Sequence, residues 1–333
     1  MNRRVTLASR PNGFPQESDF SIEEAPIPIP EAGEVLVRNL WVSVDPYQRG
    51  RMSQTRSYAR SLDLGDVITA QTLGEVVESR DGRYRPGDLV VGQLGWQEYA
   101  AARGGSLRRV LNGLDPPTLA LHAVGATGLT AYFGLLDVAR PKPGDTVVVS
   151  GAAGAVGQVA GQIAKLAGCR AVGIAGGEEK CEYLRELYGY DAAIDYKNED
   201  VRASLKDACP NGVDVYFDNV GGEITQAVIP RLNVGARIAV CGQISQYNLE
   251  QPEPGPGFGF TIVFRARVEG FLVSDYAHRY DEAAGRLARW VAEGKIRWRE
   301  DVTEGLANAP RAFIGMLNGE NQGKALVKVG DRS

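Results

Sequence analysis

Histidine is almost absent from this 333-residue chain, which carries only His122 and His278. Its four cysteines, Cys169, Cys181, Cys209 and Cys241, lie far apart and form no CxxC pair. These shortages exclude a clustered structural zinc site and speak against a histidine-rich catalytic metal site, so no metal is expected and the thiols are expected to be reduced. No stretch approaches the roughly 18 consecutive apolar residues of a membrane span. The basic start MNRRVTLASRPNG leads into no apolar core of a signal peptide. A formal net charge of −4 provides no electrostatic footprint for nucleic acid or an anionic membrane. The expected location is the cytoplasm, with neither nucleic acid nor membrane as a partner.

What is present is concentrated in residues 145–180. After a Pro-Lys-Pro-Gly turn (residues 141–144), the β-branched run 146–149 suits a buried parallel strand. Gly151, Gly154 and Gly157 follow, and Val156, Val159, Ile163 and Leu166 continue at helical spacing. Strand, glycine turn and helix in that order let backbone N–H groups approach a pyrophosphate at a helix N-terminus. The spacing is GxxGxxG, and a glycine pattern by itself is weak; the second β-like run at 171–175, at the βαβ distance, strengthens it. The plain alternative is a glycine-rich turn that binds nothing.

A further absence bears on which nicotinamide cofactor fits. An NAD site wants an acid at the end of the second strand, to accept from the adenosine ribose 2′-hydroxyl. Ala175, Gly176 and Gly177 stand there instead, with Lys180 three residues on. A missing carboxylate and a nearby cation suit a 2′-phosphate and favour NADP. Glu178 and Glu179 count mildly against this, although both also suit the first turn of a helix. Lys180 also reads as a solvated helix residue, and the residues alone leave the choice nearly even.

The chain is long enough for two domains. Residues 1–30, with Pro26, Pro28 and Pro30, read as an extended entry. Residues 34–44 alternate as a half-buried strand, and the following Asp45-Pro46 puts Tyr47 on a loop or short helix at the sheet's end, where a packed tyrosine is the default reading. Residues 54–63, with Tyr58, read as an exposed, mobile loop. Strands at 67–72, 74–79 and 88–92 complete a β-rich, barrel-like first domain. Pro116-Pro117 marks the change of domain. A helix is expected over 127–138, and β-like runs at 192–196, 213–217, 237–242 and 268–273 give the rhythm of a doubly wound parallel sheet. A helix from Asp281 to Gly294, another near 310–317 and a strand at 325–329 close the chain.

Six segments carry a family resemblance: DPYQRGRM (45–52), GLTAYFGLLDV (128–138), VVVSGAAGAVGQVAGQIAKLAGC (147–169), YFDNVGG (216–222), CGQISQYN (241–248) and NQGKALVKV (321–329). The chain resembles the zinc-independent branch of the medium-chain dehydrogenase/reductase superfamily, among its NADPH-dependent alkenal/one oxidoreductases. The resemblance implies an α/β fold: a Rossmann NADP-binding domain over 123–296, and a GroES-like catalytic domain over 1–122 and 297–333. It also implies a homodimer.

The roles it implies are as follows. Gly154 and Gly157 line the pyrophosphate, Lys180 and Tyr196 hold the 2′-phosphate of NADPH/NADP+, and Ala155, Val156 and Gly176 also belong to the cofactor site. Asn219 and Asn321 contact the nicotinamide end, and Cys241 opens a segment passing along the cofactor. Tyr247 contacts the nicotinamide ribose or acts near the substrate, while Tyr47, with Tyr58, stands on the substrate side. Tyr247 and Tyr47 are the catalytic candidates, with simple positioning as the alternative for each. Gln48 stands where methionine is common, and residues 258–260 replace a variable loop; both bear on substrate choice. The implied reaction is conjugate reduction of an enone or enal, with hydride delivered to the β-carbon and negative charge left on the carbonyl oxygen for a hydroxyl to stabilise. An NADPH:quinone reductase and a non-catalytic NADPH-binding protein are the rivals.

Overall fold

The computed structural model describes every residue except Arg56 and Ser333, and the chain divides into two compact units, Met1–Leu121 with Glu300–Ser333, and His122–Arg299. In chain order the strands are β1 (Asn2–Leu7), β2 (Phe20–Ala25), β3 (Glu34–Ser43), β4 (Thr72–Ser79), β5 (Leu89–Gly92), β6 (Tyr99–Arg103) and β7 (Arg108–Arg109). There follow β8 (Thr146–Ser150), β9 (Arg170–Ala175), β10 (Ala192–Asp195), β11 (Val213–Asp218), β12 (Leu232–Val240), β13 (Arg267–Gly270), β14 (Glu300–Glu304) and β15 (Lys324–Lys328).

The second unit is the expected doubly wound sheet, ordered β10-β9-β8-β11-β12-β13 and parallel throughout. Val147, Val148 and Val149 are wholly buried, as central strands covered on both faces require. Its core joins Val148, Val172, Ile174, Ile194, Val213, Tyr216 and Ile238. The expected helix over 127–138 is α-helical only across Ala126–Phe133 and widens into a π-helical turn over Gly134–Ala139. Gly134 sits there because a Cβ would stand 2.3 Å from the Phe271 ring and 2.8 Å from that of Phe217.

The first unit is β-rich, with the path β14-β15-β3-β4-β5-β7, β6 pairing with β3, and a separate β1-β2 ribbon. Residues 1–30 are therefore not simply an extended entry. The β1-β2 ribbon carries charge on both strands, and Arg4 pairs with Glu23 across it at 3.1 Å, so it lacks the apolar alternation that marks a strand. Residues 67–72 also differ from expectation. Only Thr72 is in a regular strand; the rest is extended chain held by one bridge from Val67 to Thr6, by Ile68 N–H to the Val5 carbonyl, and by Trp96 N–H to the Ile68 carbonyl. Val35, Val37, Val76, Val90 and Leu107 fill the core of this sheet. Among the described residues no helix is long and apolar enough to cross a membrane.

Candidate functional site

In the second unit the sequence candidates gather at the carboxyl ends of the parallel strands. β8 ends at Ser150, the chain turns through Gly151 at φ 59°, and the helix Gly157–Leu166 begins six residues later. Gly157 allows this close turn: a Cβ there would stand 2.3 Å from the Gly151 carbonyl oxygen and 2.6 Å from the Ala152 Cα. Gly154, Ala155 and Val156 remain half-exposed on the turn, with the helix N-terminus immediately behind them. That is the form of an anion cradle built from backbone N–H groups.

β9 and β10 supply the next group. The Tyr196 ring lies over Gly176, its atoms 2.8–2.9 Å from where a Cβ would be, which is why glycine stands at that position. Tyr196 is 43% exposed and Lys180 is half-buried in the helix Glu178–Glu182, so a phenol and a cation border the end of β9. The sequence reading passed over Asp195. Its buried carboxylate accepts from Gly177 N–H (2.7 Å), Lys197 N–H (3.0 Å) and Asn198 Nδ2 (2.7 Å), and so ties the two loops together. Those donors hold its pKa below the ordinary carboxylate value although burial opposes the shift.

A second buried acid, also missed, organises the ends of β8 and β11. Asp218 Oδ1 accepts from Ser150 Oγ (3.0 Å), Tyr216 Oη (2.9 Å), Val220 N–H (3.0 Å) and Gly221 N–H (2.9 Å), and Oδ2 accepts from Thr225 Oγ1 (2.7 Å). Ser150 Oγ in turn accepts from Asn219 N–H at 2.9 Å, while Asn219 Nδ2 donates to the Ser150 carbonyl at 2.7 Å. Asn219 is thereby locked beside the glycine turn. Cys241 N–H and Gly242 N–H donate to the Asp218 carbonyl at 2.8 and 3.1 Å, drawing the CGQISQYN segment to the same place. There Tyr247 folds back, its hydroxyl oxygen accepting from Gln243 N–H at 3.2 Å and lying against Gly242. Burial, then the Asp218 charge, pushes the Cys241 thiol up to about 12, so it packs as a thiol and is no nucleophile.

In the first unit the candidates are Tyr47, Tyr58 and Asn321. Tyr47 opens the short helix Tyr47–Arg51, and its hydroxyl lies 3.3 Å from Gln93 Oε1. Burial first, and the Asp45 charge second, raise its phenol well above the ordinary tyrosine value. It therefore stays a hydroxyl and a hydrogen-bond donor. Tyr58 is 63% exposed, with the Arg51 guanidinium 5.8 Å from its ring centre. Asn321 Nδ2 donates to the Gly323 carbonyl at 2.6 Å. Gln48, read from sequence as bearing on substrate choice, is wholly buried: Oε1 accepts from Asp45 N–H (2.9 Å), and Nε2 donates to the carbonyls of Thr69 (2.8 Å) and Ser43 (3.2 Å). It braces the Tyr47 helix from within.

Among the described residues no group of three or more His, Cys, Asp or Glu is placed to hold a metal ion, and all four cysteines are free. A family model described as the N-terminal domain of oxidoreductase matches residues 3–110, and one described as zinc-binding dehydrogenase matches residues 155–289. The donor set just described does not fit the zinc of that second description. The NADPH-dependent curcumin reductase of Escherichia coli (strain K12) is 45% identical, over 98% of this chain and 97% of that protein. The NADP(+)-dependent 2-alkenal reductase of Nicotiana tabacum is 42% identical, again over 98% of this chain and 97% of its own. The crystal structure of CurA from Vibrio vulnificus in complex with NADPH superposes with a TM-score of 0.95 at 44% identity, covering 99% of this chain and 100% of that one.

Proposed function

Because the chain belongs to the zinc-independent branch of the medium-chain dehydrogenase/reductase superfamily, among its NADPH-dependent alkenal/one reductases, we propose that it uses NADPH to reduce the carbon–carbon double bond of α,β-unsaturated ketones and aldehydes. The observation that carries this reading is the near-complete coverage by relatives named for curcumin and 2-alkenal reduction. The glycine turn supports it, since glycine at 157 lets the helix start directly against the Gly151 and Ala152 backbone, where a Cβ would not fit.

On this reading Ala155, Val156 and Gly157 hold the pyrophosphate through backbone N–H groups, and Gly154, whose own N–H closes the turn on the Gly151 carbonyl at 3.0 Å, lines it. Lys180, with Tyr196 and Gly176, takes the 2′-phosphate, a charge-assisted contact that NADH does not make. Asn219, Cys241 and Asn321 border the nicotinamide. NADPH, when bound, supplies the hydride for the β-carbon. The chain's own part is to orient the enone and to meet the charge that grows on its carbonyl oxygen. Tyr47 and Tyr247 are the hydroxyls assigned to that oxygen and to the proton that completes the product, with Tyr58 at the substrate side. Neither step needs a metal ligand.

NADPH consumption against a graded panel of enals, enones and quinones tests the reading. Turnover of enones and enals well above that of quinones is expected; a preference for quinones, or NADPH binding with no oxidation across the panel, overturns it. We further assign a homodimer joined along β13. This edge strand has all four residues exposed, and Phe258, Ile262 and Val263, in the segment that leads into it, are 80, 79 and 63% exposed. Sedimentation of the parent chain and of Ile262→Glu checks this: a dimer that the substitution dissociates is expected, and a monomeric parent refutes it. A cytoplasmic location accords with the four free cysteines; recovery of the activity from a periplasmic extract would contradict it.

A further inference from the structure

The side chain of Lys324 is wholly buried, and a buried ammonium is costly unless it is paired. The antiparallel register that sets Leu326 against Ser43 carries Lys324 to Asp45, 279 residues away in sequence. There Lys324 Nζ donates to Asp45 Oδ1 at 2.7 Å and to the Val44 carbonyl at 2.8 Å. The other oxygen of Asp45 accepts from Ser43 Oγ, and its backbone N–H goes to Gln48 Oε1. Tyr47 thus stands between two residues that are each fixed by buried hydrogen bonds. The same lysine begins the strand that leaves the Asn321 loop, where Gln322 N–H donates to Asp301 Oδ2 at 2.8 Å.

A strand pairing of this kind needs no charge: two apolar residues of similar volume support it as well or better. What the ion pair adds is direction. It ties β15 to the residue at which the chain leaves β3 for the helix that carries Tyr47. We propose that Lys324, through Asp45, is a positioning residue that aims the Tyr47 hydroxyl at the substrate. This rests on the substrate-side assignment of Tyr47 made above.

The test is steady-state enone reduction by Tyr47→Phe, by the apolar pair Lys324→Met/Asp45→Leu, by the amide pair Lys324→Gln/Asp45→Asn, and by each pair combined with Tyr47→Phe. Tyr47→Phe and the apolar pair are each expected to lower kcat/KM for the enone about tenfold or more, and the amide pair by less, because it keeps a donor facing an acceptor. KM for NADPH is expected to stay within about twofold of the parent. In the Tyr47→Phe background neither pair is expected to lower kcat/KM by more than about a further twofold, since the hydroxyl they aim is already gone. Multiplying losses, or parental turnover in either folded pair variant, overturn the positioning role. Thermal melting shows whether the apolar pair has folded; if it has not, the amide pair is read by the same criteria. A silent Tyr47→Phe overturns the assignment of Tyr47 itself, and with it the premise, and is recognised from that single variant.

Discussion

At the turn after β8, the second unit shapes its candidate site with backbone: Gly157 leaves no room for a Cβ between itself and Gly151, and residues 154–156 on the turn are half-exposed. The Tyr47 segment of the first unit is shaped with buried side chains, Lys324, Asp45, Ser43 and Gln48. The contrast suits what each region is proposed to hold. A pyrophosphate is the same in every NADPH, so a fixed array of N–H groups suits it and tolerates little change. An enone varies in shape, and a tyrosine on a short braced helix can be re-aimed by altering the brace while the nucleotide turn stays as it is. On this view, substitutions in the two regions should separate cofactor binding from substrate turnover.

The sharpest break in that contrast is expected at Gly157. In Gly157→Ala the new Cβ meets the Gly151 oxygen and Ala152 Cα at 2.3 and 2.6 Å, both backbone, so the turn itself must move. NADPH affinity is expected to fall about a hundredfold or more, with ~1–3 kcal/mol lost from stability, as for other overpacked sites. Gly154→Ala is the control: its Cβ meets only the Gly151 oxygen, at 3.2 Å, and affinity should stay within about tenfold of the parent. Titration calorimetry with NADPH measures both, and equal losses would remove the close-approach argument.

A smaller effect is expected at Lys180. Lys180→Ala should raise KM for NADPH about tenfold, the worth of one charge-assisted phosphate contact, and leave KM for NADH nearly unchanged. A matched rise for both cofactors would sink the 2′-phosphate assignment.

The smallest effect separates the units by pH. Every cysteine of the chain lies in the second unit. Burial, reinforced by neighbouring acids at Cys169 and Cys181, pushes the thiols of Cys169, Cys181 and Cys209 from 9.0 up to about 11. A thiol that keeps its proton longer when folded contributes stability in full below pH 9 and loses it as pH climbs towards 11. Melting should therefore be flat to about pH 9 and then decline, by ~1 kcal/mol per pH unit for each thiol, with the second unit's signals leading. Simultaneous loss in both units, or a decline that starts below pH 8, would contradict the thiol origin.

How much of this was legible in the chain differs in the same way between the regions. The strand–turn–helix of residues 146–166 could be read directly because each of its causes is local: β-branched residues that suit a buried strand, glycines where no Cβ fits, and apolar residues at helical spacing. Tyr196 over Gly176 and Tyr247 beside Asn219 were named from motif resemblance, with no local signal for either contact. Asp195 and Asp218 were missed, although one lies next to the end of a β-like run and the other just past one, where an acid facing backbone donors is worth suspecting. Lys324 had a signal too, a charge at an inward position of the strand KALVK, but only its partner explains it.

By itself, then, the sequence determined the parallel sheet of the second unit and the glycine turn after β8, both consequences of neighbours within a few turns of chain. It could not determine that residues 67–72 would be extended chain rather than a strand, that charged residues 2–7 would form a ribbon with 20–25, or that Gln48 would be consumed by the backbone of Ser43, Asp45 and Thr69. Those outcomes belong to the tertiary structure. A strand exists only when another segment takes its hydrogen bonds, and a buried charge or amide is tolerated only when a partner arrives; for Lys324 that partner comes from 279 residues away.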